Sequence, residues 1–283
     1  MFKYQGSFVI DYTLTNLTGL RIGGAKEEFD IGGVDNPVIK APVSIPGFYE
    51  DGSELPQGAP YIPGSSIKGK VRSLLEWALG RVEKMYEKNP NDIEKAGKPC
   101  DCGKCKVCVI FGTGDSRTYK NLKIEELPGP PRAKFFDAYP TKDTLRILRN
   151  QLGEGIFTEI KTENQINRIT SLAQNPRKME RVPAGAEFEG RIVFDLFKEE
   201  DKDLLKTLFK GLELLENNFL GGYGSRGSGR VKFKELKIEF IPRDYYTGDG
   251  KKKKVGEYNS IQEIIDKFEE IIKNVFPGDN KNG

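Results

Sequence analysis

The chain has 283 residues, of which 37% are hydrophobic and 31% charged, with a net charge of +3 and no histidine. This length allows one large hydrophobic core or two modest ones. The small net charge means that a polyanion site would depend on local clusters of cations. The lack of histidine excludes Ser-His and Cys-His nucleophile pairs and ribonucleases that use imidazole acid–base chemistry. Any catalysis must rest on carboxylates, lysine, tyrosine or a metal.

The chain shows no sign of a membrane segment. Its longest apolar runs are too short to cross a bilayer, and its start, MFKYQGSFVIDY, lacks the regions of a signal peptide. We therefore expect a cytoplasmic protein that has no membrane partner.

The first half of the chain predicts a strand, a long loop, a helix and a short strand. Apolar residues alternate in GSFVIDYTL, which is typical of a half-buried strand. Glycine and proline interrupt the stretch that follows, which predicts a loop. IPGSSIKGKVRSLLEWALGRVEKMYEK then predicts a turn, a serine cap and a helix. The predicted apolar face of that helix consists of Val71, Leu74, Leu75, Ala78 and Val82. AKFFDAY is a candidate short strand.

The second half repeats the strand, helix and strand order after a long polar stretch. TEIKTENQINRITSLAQNPRKMERVPAG has no periodicity and is interpreted as a loop. EFEGRIVFDLF predicts a strand, and leucines at helical spacing predict a helix over Asp201 to Asn217. RVKFKELKIEF predicts a strand with a bulge between Phe233 and Leu236. SIQEIIDKFEEIIKNVF predicts an amphipathic helix that begins with a capping box of Ser260 and Glu263.

Two strand–helix–strand units predict an α+β fold with a ferredoxin-like (RRM-like) core. Loops longer than about 15 residues are uncommon unless they are functional or disordered. We therefore interpret the long loops as working parts on a core at residues 1–258, followed by an amphipathic helix and tail at 259–283. The insertions are a lid at about residues 20–62, a cysteine insert at about 87–110 and a thumb at about 150–185.

All four cysteines fall in the stretch CDCGKCKVC, as Cys100, Cys102, Cys105 and Cys108. Disulfides are rare in the cytosol, and this density favours a thiolate cage. Four thiolates can surround Zn²⁺ tetrahedrally and leave no open position for water, so the predicted zinc is structural. An iron–sulfur cluster and metal-free thiols are the alternatives.

Cations and glycines cluster in segments that suit phosphate. PGSSIKGKVR places Ser66, Lys68, Lys70 and Arg72 near a helix start, where free N–H groups and the helix dipole favour anions. A solvated basic face is the alternative. The stretch LGGYGSRGSGR offers bare backbone, two cations and an aromatic ring for a sugar–phosphate chain. Its candidate residues are Gly221, Gly222, Tyr223, Gly224, Arg226, Gly227, Gly229 and Arg230. The thumb adds polar donors: Asn164, Arg168, Asn175, Arg177 and Arg181.

Taken in order, these motifs resemble those of one protein family. TGLRIGG, DIGGVDNPVIK, YIPGSSIKGKVRSLLEW, CGKCKVCVIFG, EIKTENQINRITSLAQNPRKMERVPAGAEF and LGGYGSRGSGRVKF run over about residues 7 to 235. The set resembles the backbone subunit of type III-A CRISPR effector complexes, the third Csm protein of the RAMP superfamily. The resemblance implies a RAMP core that stacks head to tail along a CRISPR guide RNA, beside other Csm subunits. It also implies that the thumb displaces one base in every six.

The resemblance assigns catalysis to Asp35, in GGVDNPVIK. It implies that each subunit cuts the complementary target RNA at six-nucleotide intervals with a divalent cation, Mg²⁺ or Mn²⁺. A carboxylate can orient a ribose 2′-hydroxyl, accept its proton or hold the cation. From the sequence alone, Asp35 before Asn36-Pro37 is a turn former. Many relatives carry histidine where this chain has Arg21. If an imidazole were essential at that position, this chain would be inactive, so the departure favours the aspartate as the main catalytic group.

Other functions remain open at the level of sequence. One is a non-cleaving RNA scaffold, such as a type III-B backbone or capping subunit, although a capping subunit should lack the thumb or the catalytic loop. Another is the guide-processing endonuclease of the same superfamily, which often relies on histidine. A metal-thiolate interaction module would leave the basic segments unexplained.

Overall fold

The computed structural model describes residues 3–24, 37–113 and 127–277. Its strands are β1 (Gly6–Asn16), β2 (Ala133–Phe135), β3 (Tyr139–Pro140), β4 (Glu159–Ile166), β5 (Ala173–Arg181), β6 (Glu187–Leu196), β7 (Val231–Pro242) and β8 (Lys253–Tyr258). Its α-helices are α1 (Gly64–Ala78), α2 (Arg81–Lys88), α3 (Ile93–Ala96), α4 (Lys106–Phe111), α5 (Lys142–Leu152), α6 (Asp201–Glu216), α7 (Ile261–Asp266) and α8 (Phe268–Val275). Among these described residues, no helix is both long and apolar enough to cross a bilayer.

The main sheet is antiparallel and has the strand order β2-β6-β1-β7-β8, with β3 also paired to β6. The first unit is β1, α1 and β2, and the second is β6, α6 and β7. Each unit's two strands are separated by a strand of the other unit. This interleaving is that of a ferredoxin-like sheet and confirms the predicted fold class.

The core lies between one face of this sheet and the helices. Phe8, Ile10 and Leu14 alternate along β1 and are completely buried, as their spacing predicts. Gly211 of α6 faces α1, where an added Cβ would lie 2.7 Å from both Val71 and Leu75. The glycine therefore allows the two helices to approach closely.

The bulge predicted in β7 is present. The register between β1 and β7 shifts between the pairs Asp11–Lys237 and Thr13–Lys234. Glu235 takes up the extra residue with a left-handed φ of 51° and accepts a 2.9 Å hydrogen bond from Thr13 Oγ1.

The serine cap predicted for α1 is wrong. The helix begins at Gly64, its N-cap is Pro63, and no side chain caps it from that position. Instead, the Gly64 N–H donates to Asp137 Oδ1 at 2.7 Å. The predicted apolar face is also shorter than expected, because α1 ends at Ala78, which is exposed, before a left-handed Gly80.

The thumb is not the loop that its sequence predicts. β4 and β5 pair as an antiparallel hairpin from Glu159–Arg181 to Ile166–Ala173. The hairpin lies outside the main sheet, and most of its side chains face solvent on both sides. A strand without a buried face has no reason to alternate apolar and polar residues, so the pattern gave no strand signal.

The C-terminal capping box is confirmed, but the helix it begins is divided. Ser260 Oγ accepts from the Glu263 N–H at 3.2 Å, and Glu263 in turn accepts from the Asn259 N–H. Lys267 separates α7 from α8. Ile261, Phe268 and the other buried members of the apolar stripe join the main core. The sequence prediction missed α3, α4, α5 and β8 altogether.

Candidate nucleic-acid interface and metal centre

The four cysteines form one compact cluster. Their sulfur atoms all lie within 4.8 Å of one another. Cys105 is the N-cap of α4, and Gly103 turns the chain between Cys102 and Cys105 with a left-handed φ of 69°. The sulfurs of Cys100 and Cys105 are 3.9 Å apart, as are those of Cys102 and Cys108. The predicted cage is therefore assembled by the fold.

These sulfurs fit a metal ion. A tetrahedral zinc site with Zn–S bonds of about 2.3 Å has sulfurs about 3.8 Å apart. The hydrogen bond from the Cys108 side chain is the main reason why the pKa of Cys105 falls to about 5, and the Cys108 N–H adds to it. Burial raises the pKa of Cys100 to about 11. A cation among the sulfurs would favour the thiolate form of all four.

Arg72 ties the cysteine insert to α1. Its guanidinium donates to Glu76 Oε1 at 2.9 Å, to the Cys100 carbonyl at 2.8 Å and to the Gly112 carbonyl at 3.0 Å. Glu76 also accepts from the Cys100 N–H at 3.0 Å. The structure gives Arg72 a structural role that the RNA-binding prediction did not include.

The other predicted RNA-binding residues of α1 are partly accessible to solvent. Ser66, Lys68 and Lys70 are half-buried. Burial lowers the pKa of both lysines, with Arg72 adding to the effect at Lys68. Lys70 Nζ lies 3.8 Å from the ring centroid of Phe219, which directly precedes the glycine-rich loop. Within the described residues neither lysine has an ion-pair partner, so a phosphate would meet partly desolvated cations here.

In the glycine-rich loop, residues 220–230, most glycines are required by close contacts within the protein. An added Cβ on Gly221 would lie 2.1 Å from the Arg21 carbonyl, and one on Gly229 would lie 2.1 Å from the Leu220 carbonyl. On Gly224 it would lie 2.0 Å from the Phe219 ring. By contrast, Gly227 has nothing within 4 Å. Intramolecular packing thus explains glycines that the sequence interpretation ascribed to RNA.

The exposed side of this loop carries the aromatic and cationic groups. Tyr223 has a left-handed φ of 61°, and the guanidinium carbons of Arg21 and Arg226 lie 5.1 and 5.3 Å from its ring centroid. Arg230 is exposed, and its N–H donates to Thr18 Oγ1. Gly222 donates its N–H to the Arg21 carbonyl at 2.8 Å. The loop is therefore joined to the start of the lid.

The predicted thumb residues lie along the hairpin. Asn164, Arg168, Asn175 and Arg177 are exposed. Asn175 has a left-handed φ of 51° and lies where the register between β4 and β5 shifts. Arg181, at the base, is half-buried and donates to Glu159 at 2.6 Å. The exposed cations are thus spread over the length of the hairpin.

The hairpin contacts the glycine-rich loop and the lid. Arg226 donates to Glu163 of β4 at 3.0 Å. At the base of β5, the buried Glu180 accepts from the Val38 N–H at 2.7 Å and pairs with Lys40 at 2.5 Å. Sequence reasoning missed Glu163, Glu180 and Lys40, because charged residues far apart in the chain gave no signal that the fold brings them together.

Two described segments of the lid, residues 23–24 and 37–38, lie next to each other. Gly23 and Val38 form an antiparallel bridge, and the Gly24 N–H donates to the Pro37 carbonyl at 3.1 Å. Asp35 itself lies outside the described residues. The described geometry therefore joins three segments at this point: the lid stem (residues 21–24 and 37–40), the glycine-rich loop, and the thumb base (residues 159–163 and 177–181).

The chain is similar to known proteins over most of its length. The family model of the RAMP superfamily matches residues 13–232. A protein of Methanothermobacter thermautotrophicus, "CRISPR system Cms endoribonuclease Csm3", is 39% identical over 275 residues, which cover 93% of this chain and 98% of the relative. The protein of the same name from Methanocaldococcus jannaschii is 37% identical over 270 residues, 94% of this chain and 95% of the relative.

Solved structures agree with the fold. A chain in the crystal structure of a Csm3–Csm4 subcomplex of the type III-A CRISPR-Cas interference complex matches with a TM-score of 0.55 and 27% identity, over 95% of this chain and 97% of that chain. The Methanopyrus kandleri Csm3 crystal structure gives a TM-score of 0.55 at 23% identity, over 95% and 98%, which shows the fold alone. The chain belongs to the RAMP superfamily and, within it, to the Csm3 family.

Proposed function

We propose that this chain is the RNA-binding backbone subunit of a type III-A CRISPR effector complex and an endoribonuclease that cuts target RNA. The relatives' name supports the ribonuclease activity, and the Csm3–Csm4 subcomplex supports assembly with other Csm subunits. The observation that carries the proposal is the junction of lid stem, glycine-rich loop and thumb base. The contacts that hold that junction include Gly222 to Arg21, Arg226 to Glu163, and Val38 to Glu180.

The guide RNA binds across this junction. Lys68 and Lys70 supply cations for its phosphates, because burial has already removed part of their hydration. Arg226 and Arg230 add exposed guanidinium groups on the glycine-rich loop. The thumb projects from the core with solvent on both faces, which suits an arm that separates the guide and target strands and displaces a base. Successive subunits bind head to tail along the same guide.

Asp35 is the proposed catalytic residue. Its carboxylate accepts the proton of a target-strand 2′-hydroxyl, whose oxygen attacks the adjacent phosphorus. The bond from phosphorus to the 5′-oxygen breaks, and that oxygen takes a proton, which leaves a cyclic phosphate and a 5′-hydroxyl. Splayed nucleotides at the thumb would favour the in-line geometry that this attack requires.

Two kinds of metal belong to the proposal. Cys100, Cys102, Cys105 and Cys108 would hold a structural zinc ion. With four thiolate ligands it would have no open position for water and would take no part in the reaction. A carboxylate such as Asp35 offers the oxygen ligands that Mg²⁺ and Mn²⁺ accept. When bound, such a cation would stabilise negative charge on the phosphate.

The test uses the assembled complex with guide RNA and a matched target. Asp35→Asn should abolish cuts at six-nucleotide intervals while target binding persists, and Mg²⁺ removal should stop the wild-type reaction. Glu54→Gln, at an exposed residue of the lid, is the matched control and should cut normally. Unchanged cleavage by Asp35→Asn would show that Asp35 is not catalytic. Loss of guide binding would show that Asp35 is needed for binding as well as for catalysis, which contradicts the proposal.

A further inference from the structure

The hairpin that joins β7 to β8 carries a basic and aromatic surface, which we call the hairpin patch (residues 243–254). It contains five cationic and two acidic side chains, so its net charge of +3 equals that of the whole chain. The 12 residues of β7 separate it from the glycine-rich loop by about 35–40 Å along the strand. It also lies outside residues 13–232, which the RAMP model matches.

Two exposed aromatic rings stand among these charges. Tyr245 and Tyr246 are 40% and 63% exposed, and their ring centroids lie 5.2 Å apart at an interplanar angle of 81°. Lys252 Nζ lies 5.4 Å from the Tyr245 ring centroid. Adjacent exposed tyrosines beside lysines resemble the stacking and phosphate groups of single-strand binding surfaces.

The turn that holds the rings is well ordered by its own hydrogen bonds. The Asp244 carbonyl accepts from the N–H groups of Thr247, Gly248 and Gly250 at 3.2, 2.9 and 3.3 Å. An added Cβ on Gly250 would lie 2.4 Å from the Tyr245 nitrogen, so the close turn requires glycine there. The rings are therefore presented by a compact turn.

Fold stability explains only part of the lysine run. Lys253 and Lys254 lie on β8, the last strand of the described sheet, where lysines discourage edge-to-edge pairing. Lys253 Nζ also donates to the Val275 carbonyl at 2.9 Å, and Lys254 pairs with Glu257 at 2.7 Å. Lys251 and Lys252 precede the strand, and neither forms an ion pair within the described residues. These two lysines and the tyrosines remain unexplained by the fold.

We propose that the hairpin patch is a second RNA-binding surface, which takes single-stranded RNA through phosphate contacts to Lys251 and Lys252 and base stacking on Tyr245 and Tyr246. Exposed tyrosine rings favour RNA over an acidic peptide, because lysines alone would satisfy a peptide's carboxylates whereas each base offers a face to stack. The surface goes beyond the proposed guide-binding junction and does not depend on it.

The test cross-links a short 4-thiouridine-labelled oligouridine to the purified full-length protein and maps the sites by mass spectrometry. Wild-type protein should give adducts within residues 243–254. Lys251→Gln/Lys252→Gln should lose them and reduce the salt dependence of binding, the slope of log K against log salt, by about 1.4. Tyr246→Ala should weaken binding at the patch at least about fivefold, while Tyr246→Phe, which keeps the ring, should bind normally.

Lys84→Gln/Lys210→Gln is the matched control, because both lysines are exposed on helices and lie outside the hairpin patch. This variant should retain the adducts within residues 243–254. Absence of adducts in the patch, or tighter binding there of polyglutamate than of oligouridine, would overturn the proposal. Adducts in the thumb and glycine-rich loop are read separately, so failure of the guide-binding proposal leaves this result intact.

Discussion

The Glu180 carboxylate of the thumb base accepts a 2.7 Å hydrogen bond from the backbone nitrogen of Val38 in the lid. The same carboxylate pairs with Lys40 and accepts from Thr158 Oγ1. We expect Glu180→Ala to lower the free energy of unfolding by about 2–3 kcal/mol, because it leaves a buried N–H without its acceptor. Urea unfolding measures this loss, and Glu54→Gln, at an exposed lid residue, should change stability by less than about 0.5 kcal/mol.

The same residue makes stability depend on pH. Burial raises the pKa of Glu180, but the hydrogen bonds from Lys40, Thr158 and Val38 outweigh it and leave the pKa lowered. A carboxyl with a lowered folded pKa stabilises the protein above its unfolded pKa of about 4.3, and this contribution is lost as the pH falls through the folded pKa. The stability difference between wild type and Glu180→Gln should therefore shrink below about pH 4.3. A difference that stays constant down to pH 3 would contradict this role.

The glycine-rich loop can be tested by comparing positions with equal backbone strain. Gly221, Gly227 and Gly229 have φ values of 77°, 85° and 83°, so alanine should cost about 1–2 kcal/mol at each for the left-handed conformation alone. At Gly221 and Gly229 it also meets a carbonyl oxygen at 2.1 Å, which adds about 1–3 kcal/mol. Thermal unfolding should rank Gly227→Ala as the mildest variant, and equal losses at all positions would contradict the packing explanation.

The cysteine cluster should hold one metal ion per chain. Metal analysis of protein purified without oxygen should find zinc, and Cys105→Ser or Cys108→Ser should lose it. Arg72→Ala should lower zinc affinity about tenfold, because the hydrogen bond from Arg72 to the Cys100 carbonyl positions the backbone of a zinc ligand. Lys104→Gln, at an exposed residue between the ligands, should keep the metal. Iron with visible absorbance would identify a cluster in place of zinc.

The elements that could be predicted from the sequence are those that bury one face, because burial of one face makes apolar residues recur at the period of a strand or a helix. β1 and β6 alternate because one face is buried, and α6 repeats leucines because it lies on the sheet. Most side chains of the thumb strands are exposed, so no pattern distinguished these strands from a loop. The reason for Gly221 was also hidden, because it depends on the Arg21 carbonyl, which only the tertiary fold brings near. For the same reason, Arg72 appeared to be a surface cation although it binds the cysteine insert.

The ion pair between Arg226 and Glu163 predicts opposite effects of its two partners on RNA binding. Glu163 holds Arg226 at 3.0 Å and adds negative charge where the guide is proposed to pass. Arg226→Gln should weaken binding of guide RNA and reduce its salt slope by about 0.7, the contribution of one phosphate contact. Glu163→Gln should bind the guide as tightly as wild type or more tightly, because it releases the guanidinium.

Fluorescence titrations over a range of salt concentrations measure both variants and the double variant. Arg226 is 49% exposed, so the ion pair should contribute less than about 1 kcal/mol to folding, and unfolding curves of the variants should nearly coincide. A change in affinity would then report the RNA contact itself. If Glu163→Gln weakened binding as much as Arg226→Gln, the pair would act by positioning the thumb against the loop, and Arg226 would not bind phosphate directly.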